Sequence, residues 1–248
     1  MKQPDRINIL LVEDDQLIAM SEISDLTDEG FYVVHAKSGE KAVELINEPE
    51  AEFNLILMDI NLGSGMNGGD AAKKILTMHD IPIVFLSSHT EKEIIQSTEE
   101  ITSYGYVLKH SGNAVLTAAI KMALRLFEAN KKIHESEKKF QKAFNYNPIP
   151  MSINDMLDNG AFVDCNEAFL ELTGYDKTEL IGKNPLDLDF YANPDDRTKI
   201  IELFARDGFV KKYRYMYKKR NGETLMKYIS MSRISIDDKP YLLVFQSD

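Results

Sequence analysis

Cysteine is nearly missing from this 248-residue chain: Cys165 stands alone, which excludes an internal disulfide and suits a reducing cytoplasm. Basic residues are also scarce. Lys and Arg number 29 against 40 Asp and Glu, for a net charge of −11, and a field of that sign repels nucleic-acid phosphates and anionic membrane surfaces. No nucleic-acid or membrane partner is therefore expected. Long hydrophobic runs are missing: none approaches the roughly 20 residues that span a bilayer, and the opening MKQPDR has no apolar core of a secretory signal. The expectation is a cytoplasmic protein. No internal repeat or low-complexity segment is present.

What the chain does have is enough length and apolar content, 44%, for two ordinary cores. Through Leu126, short strand-like runs (INILLV, YVVHA, NLILMD, IPIVFLS, YGYVLK) alternate with segments of helical period. That alternation predicts an α/β domain with a five-stranded doubly wound parallel sheet and helices on both faces. The fifth helix, opened by HSGNAVL, continues past the domain. Apolar or small residues recur at Val115, Ala119, Met122, Leu126, Ala129, Ile133, Ser136, Phe140 and Ala143. This period of 3.5 reads either as a coiled-coil seam or as the core stripe of a helix packed on its own domain. After YNPIP come short strands (MSIND, AFVDC), short helices, a longer helix around DDRTKIIELFARD and three further strand-like runs, with Asn221-Gly222 read as a type I′ hairpin turn. This order predicts an α+β domain on an antiparallel sheet. The expected division is 1–126, a helical linker with coiled-coil character at 127–140, and 141–248.

The stretch LLVEDDQL poses a chemical question, because Glu13, Asp14 and Asp15 directly follow the first strand. Asp59 ends the third strand, which neighbours the first in such a sheet. Carboxylates gathered at the carboxyl ends of adjacent strands repel unless a cation is bound or some are protonated, and hard oxygen ligands on short loops suit Mg²⁺. Ser87 and Lys109 end the fourth and fifth strands and would face the same patch. Asp15 reads instead as a helix-opening residue.

In this constellation the first half resembles the receiver domain of two-component response regulators. The resemblance implies that Glu13 and Asp14 are the acidic pair, that Asp59 is the phosphoacceptor, and that Glu13, Asp14, Asp59 and the backbone carbonyl of Asn61 hold Mg²⁺. Ser87 corresponds to the hydroxyl that contacts the phosphoryl group, Lys109 to the family's lysine and Tyr106 to its aromatic switch, with the surface of strand four, helix four and strand five as the responding element. The chemistry is consistent with those roles: an aspartate attacking phosphohistidine needs positioning and charge neutralisation. Two features depart from the family. His110 stands where a proline usually follows the lysine, and the loop NLGSGMNGGD after Asp59 is long and glycine-rich.

The second half resembles a PAS domain through Asn166, Ala168, Phe169, Gly174, Tyr175, Leu180, Ile181, Gly182 and the RNGE hairpin. That family implies a curved sheet serving as a small-molecule, redox or light sensor or as a dimerising module. All five histidines (His35, His79, His89, His110, His134) precede its core, which argues against histidine-ligated haem. The flavin-adduct signature is missing around Cys165, so Cys165 reads as a small strand residue. The PAS ligand is unknown or none.

The function expected is a phosphorylation-controlled switch rather than an enzyme, with slow self-dephosphorylation at most. Its partners would be a histidine kinase and a second copy, through the linker helix or the PAS domain. A phosphohydrolase would need a second aspartate where Asn61 stands, and a histidine kinase built on His134 would need a glycine-rich ATP motif. The alternatives are a small-molecule-sensing PAS scaffold with a degenerate receiver, or the N-terminal fragment of a larger sensor kinase.

Overall fold

The computed structural model describes residues 6–50, 52–88 and 104–248. The chain forms two compact units, Met1–His134 and Glu135–Asp248. In the first, β1 (Asn8–Val12), β2 (Tyr32–Ala36), β3 (Leu55–Asp59), β4 (Ile83–Ser87) and β5 (Gly105–Leu108) form one sheet in the order β2-β1-β3-β4-β5. Every pairing is parallel. The central strands β3 and β4 are buried throughout, which is why they read as unbroken apolar runs.

Alternate residues serve opposite faces. Leu10, Val12, Ile56, Met58, Ile83 and Phe85 pack against Ala42 and Ile46 of α2 (Gly39–Ile46) and against Ala71, Ala72 and Ile75 of α3 (Gly68–Leu76). Ile9, Leu11, Leu57, Val84 and Leu86 pack on the other side against Ala19 and Leu26 of α1 (Gln16–Asp28) and Leu116, Ile120 and Ala123 of α4 (Asn113–Asn145). The surface expected to respond to phosphorylation includes a helix between β4 and β5; residues 89–103 lie outside the described residues.

Helix α4 settles which residues form its core stripe. Leu116, Ile120 and Ala123 are buried, whereas Val115, Met122, Leu126, Ile133 and Phe140 of the 3.5-period set are exposed. The two stripes lie on different faces because Leu116, Ile120 and Ala123 recur at four and three residues, one position out of phase with the seam. Residues 127–140 lie inside this helix.

The second unit holds β6 (Met151–Asp155), β7 (Ala161–Cys165), β8 (Phe209–Lys218), β9 (Thr224–Ile236) and β10 (Lys239–Ser247) in an antiparallel sheet ordered β7-β6-β10-β9-β8. Between β7 and β8 lie α5 (Glu167–Thr173), α6 (Lys177–Leu180) and α7 (Pro194–Asp207). Phe162, Phe169, Phe190, Tyr215 and Tyr217 centre its core.

The β8–β9 turn corrects the sequence reading. A type I′ turn needs positive φ at both central residues, yet only Gly222, at +85°, has it. The loop instead spans Arg220, Asn221 and Gly222: Lys219 N–H donates to Glu223 O at 2.8 Å and Gly222 N–H to Lys219 O at 2.9 Å. Arg220 is drawn into the loop by distant partners. Its N–H donates to Thr173 O at 3.1 Å, and its guanidinium grips Glu179 at 2.6 and 2.8 Å.

Candidate functional site

The parallel sheet delivers its functional side chains to one edge. Glu13 follows β1, Asp59 ends β3, Ser87 ends β4 and Lys109 follows β5. Adjacent registers (Val12 opposite Met58, Asp59 opposite Leu86, Ser87 opposite Leu108) keep these ends level. The Lys109 N–H donates to Ser87 O at 3.0 Å, which fixes the backbone from which its side chain extends.

Lys109 Nζ lies 2.5 Å from Glu13 Oε2 and 2.8 Å from Asp59 Oδ2. Glu13 is 1% exposed and Asp59 3%, so this is a buried triad in which each charge depends on the others. Burial pushes the Glu13 carboxyl up, the Asp59 charge adds to that, and the Lys109 hydrogen bond opposes it. Burial alone would pull Lys109 down; its hydrogen bonds to Asp59 and Glu13 outweigh it and hold the ammonium above its ordinary range. Asp14 is exposed, and oxygens of Glu13, Asp14 and Asp59 approach within 4.8 Å of one another. One ammonium faces three carboxylates, so the cluster remains negative, and its hard oxygen donors fit a small dication such as Mg²⁺.

The other residues named from the sequence lie around this group. Asp15 caps α1, accepting from Leu17 and Ile18 N–H at 2.8 and 3.1 Å. The Asn61 N–H donates to Asp59 Oδ1 at 3.1 Å. Ser87 is buried, while Tyr106, on β5, is 42% exposed with its ring stacked 5.7 Å from Phe85. His110 is exposed, and no cis peptide occurs among the described residues.

The long loop after Asp59 is fastened. Gly63 N–H donates to Asp14 Oδ2 at 3.1 Å and Met66 N–H to Glu40 Oε1 at 2.7 Å. Gly68 passes so close to the Asp59 backbone that a Cβ there would lie 1.9 Å from Asp59 O. The glycine is required by contact, not by turn shape.

Sequence reasoning missed Glu22. It lies on the core face of α1 between Ala19 and Leu26, and its Oε2 has no hydrogen-bond partner among the described residues. Burial, reinforced by the Glu13 charge, pushes its carboxyl up to about 7. The three-and-four spacing of 19, 22 and 26 was the available signal.

Two features of the second unit were also unread. The buried amide of Asn166 accepts from Met151 and Phe169 N–H at 2.9 and 3.0 Å and donates to Phe144, Asn147 and Ile149 carbonyls at 3.1, 3.2 and 2.9 Å. A cavity of about 390 Å³ opens among Phe162, Phe169, Phe190 and their neighbours. Cys165 does not line it; burial pushes that thiol up to about 11.

No helix among the described residues is long and apolar enough to cross a membrane. Comparison with known proteins places both halves. The response regulator receiver domain family matches residues 9–121 and a PAS domain family residues 149–248. The transcriptional regulatory protein PdtaR of Mycobacterium tuberculosis is 30% identical over 122 residues, 48% of this chain and 57% of that protein. The transcriptional regulatory protein YdfI of Bacillus subtilis is 30% identical over 122 residues, 48% of this chain and 56% of that protein. The chain thus spans little more than half the length of these curated relatives. A solved N-terminal domain of a response regulator/sensory box/GGDEF three-domain protein from Carboxydothermus hydrogenoformans is 41% identical, over 50% of this chain and 98% of that one, with a TM-score of 0.47. The regulator relatives are consistent with two-component signalling, and the two matched families establish that the chain is a response-regulator receiver domain followed by a PAS domain.

Proposed function

We propose that this chain is a cytoplasmic phosphorylation-controlled switch in which Asp59 takes a phosphoryl group from a histidine kinase. The observation that carries the reading is Lys109 Nζ within hydrogen-bond reach of both Asp59 and Glu13 at the carboxyl ends of β1, β3 and β5. In the transfer, an Asp59 carboxylate oxygen bonds to phosphorus as the bond from phosphorus to the kinase histidine breaks. Lys109 neutralises charge on the phosphoryl oxygens. Glu13, Asp14, Asp59 and the Asn61 carbonyl would hold Mg²⁺, which when bound supplies charge neutralisation for the phosphoryl group.

The resulting dianion draws the Ser87 hydroxyl, and Tyr106 turns in from its exposed position, a local charge event that biases a two-state surface. We assign 1–126 to the receiver, 127–140 to a helical linker and 141–248 to the PAS domain, with α4 as the route of the signal. The exposed residues Val115, Met122, Leu126, Ile133 and Phe140 recur at heptad-compatible intervals and support a homodimer through α4. Self-dephosphorylation is slow, and Asn61 offers no carboxyl for hydrolytic turnover.

The test is intact mass after incubation with Mg²⁺ and acetyl phosphate. A hydroxylamine-labile phosphoryl adduct that needs Mg²⁺ and is lost completely in Asp59→Asn is expected. An unlabelled wild type, beside a control receiver that labels, would overturn the proposal.

A further inference from the structure

We propose that the cavity of the PAS domain binds a small organic acid with an aromatic or branched apolar body, and that Arg197 takes the acid's carboxylate. At about 390 Å³ the cavity lies within the roughly 300–1,000 Å³ typical of small-molecule pockets. Phe162, Phe169, Phe190 and Phe204 contribute to its wall, beside Ile200 and Val244. The Phe190 ring sits 5.8 Å from Phe162 and 6.3 Å from Phe169, a tilted aromatic arrangement that favours a flat or branched apolar guest.

The polar groups of the lining decide the ligand's charge. Most of them are already satisfied by one another. Ser152 Oγ donates to Asn154 Oδ1 at 2.8 Å, Asn154 Nδ2 to Gly160 O at 2.9 Å, and the Tyr215 hydroxyl to Gln246 Oε1 at 2.9 Å. Other donors remain. The Gln246 amide nitrogen, on a side chain only 4% exposed, has no protein acceptor among the described residues. Arg197, half-buried on α7, has no carboxylate at ion-pair distance among them. Its neighbour Asp196 accepts from the Tyr213 hydroxyl at 3.2 Å.

No Asp, Glu, His or Lys lines the cavity among the described residues. The lining therefore presents one cation and several neutral donors (the Asn159 and Gln246 amides and the Tyr191 hydroxyl), with no anion to balance the cation. A carboxylate satisfies both kinds of donor, most strongly through the planar guanidinium, whereas an amine would be repelled and a neutral amide would leave the charge unmatched. The cavity-lining Tyr191 hydroxyl is pushed up to about 12, chiefly by burial, with the Arg197 charge opposing and the Asp196 charge outside the lining adding to the rise. This corresponds to a dry wall within reach of that charge, where an ion pair gains strength.

The test is calorimetric titration of the full chain with three shape-matched probes: phenylacetate, phenylacetamide and phenethylamine. Phenylacetate is expected to bind at least about tenfold more tightly than the amide, and the amine not at all. Arg197→Gln should bring phenylacetate down to the amide's affinity while leaving the amide unchanged, and Arg197→Lys should restore part of the difference. Gln246→Leu should weaken phenylacetate by about threefold to tenfold. Unchanged thermal melting of each variant separates lost binding from lost fold. Equal affinity for amide and carboxylate, indifference of phenylacetate to Arg197→Gln, or no heat with phenylacetate, indole-3-acetate or isovalerate at millimolar concentration would each overturn the proposal.

Discussion

At the receiver edge an ammonium and two carboxylates are buried together within hydrogen-bond distance, whereas the PAS cavity is lined by aromatic rings and neutral polar groups with a single half-buried cation. The two sites handle polarity in opposite ways. The receiver site balances charges that could not be buried singly, so its parts cannot be altered one at a time. The PAS cavity pairs Ser152 with Asn154 and Tyr215 with Gln246 and leaves its one cation, Arg197, without a carboxylate among the described residues. Each half also keeps one buried polar atom without a partner among the described residues: Glu22 Oε2 in the receiver and the Tyr217 hydroxyl in the PAS domain.

The sharpest way to break this contrast is to remove the cation on which the receiver triad depends. Lys109→Met should destabilise the protein by about 3–5 kcal/mol at pH 7, because Glu13 and Asp59 then share a buried site uncompensated. Glu13, whose carboxyl burial already pushes up, would lose the opposing Lys109 hydrogen bond and hold its proton more tightly in the folded state, so the loss should shrink toward pH 5 and with added Mg²⁺. Urea midpoints at the two pH values measure this; a loss below about 1 kcal/mol would mean that solvent already screens the triad.

A smaller effect is expected at Glu22. Its folded pKa of about 7 lies above the ordinary 4.5, so its favourable contribution is complete below 4.5 and disappears as pH rises through 7. Wild-type stability should therefore fall between about pH 5 and pH 8, and Glu22→Gln should flatten that slope with a gain on the order of 2 kcal/mol at pH 8. An equally steep slope in the variant would assign the pH dependence to other groups.

The smallest change sharpens the PAS side. Tyr217 is fully buried and its hydroxyl lacks a partner among the described residues, so Tyr217→Phe should raise the melting temperature, corresponding to about 1 kcal/mol. A lower melting temperature would mean that the hydroxyl contributes something its surroundings do not reveal.

Legibility followed physical locality. The apolar runs of β3 and β4 could be read because a strand covered on both faces carries no alternation to disguise it. Glu13, Asp59 and Lys109 could be named together because parallel strands place their carboxyl ends at one edge, and the structure does bring them together. The β8–β9 turn was misjudged since Arg220 answers to Thr173 and Glu179, far away in sequence. Glu22 passed unnoticed because a carboxylate within a helical pattern ordinarily marks the solvent side. Of the two readings of the α4 repeat, the core-stripe one fell one position out of phase, since small and apolar residues populate both faces of the helix. The cavity had no sequence signal, as its aromatic lining is the same residue type as a filled core.

The Asn166 amide has a kinetic consequence. It joins the last turn of α4, the first residue of β6 and the opening turn of α5, three segments that could otherwise fray at their own rates. Opening any one of them breaks hydrogen bonds shared with the other two, so they should exchange amide protons as a single cooperative unit. Met151 and Phe169 amides should then show matched protection in native-state hydrogen exchange, and Asn166→Ala should split them into separate, faster clocks.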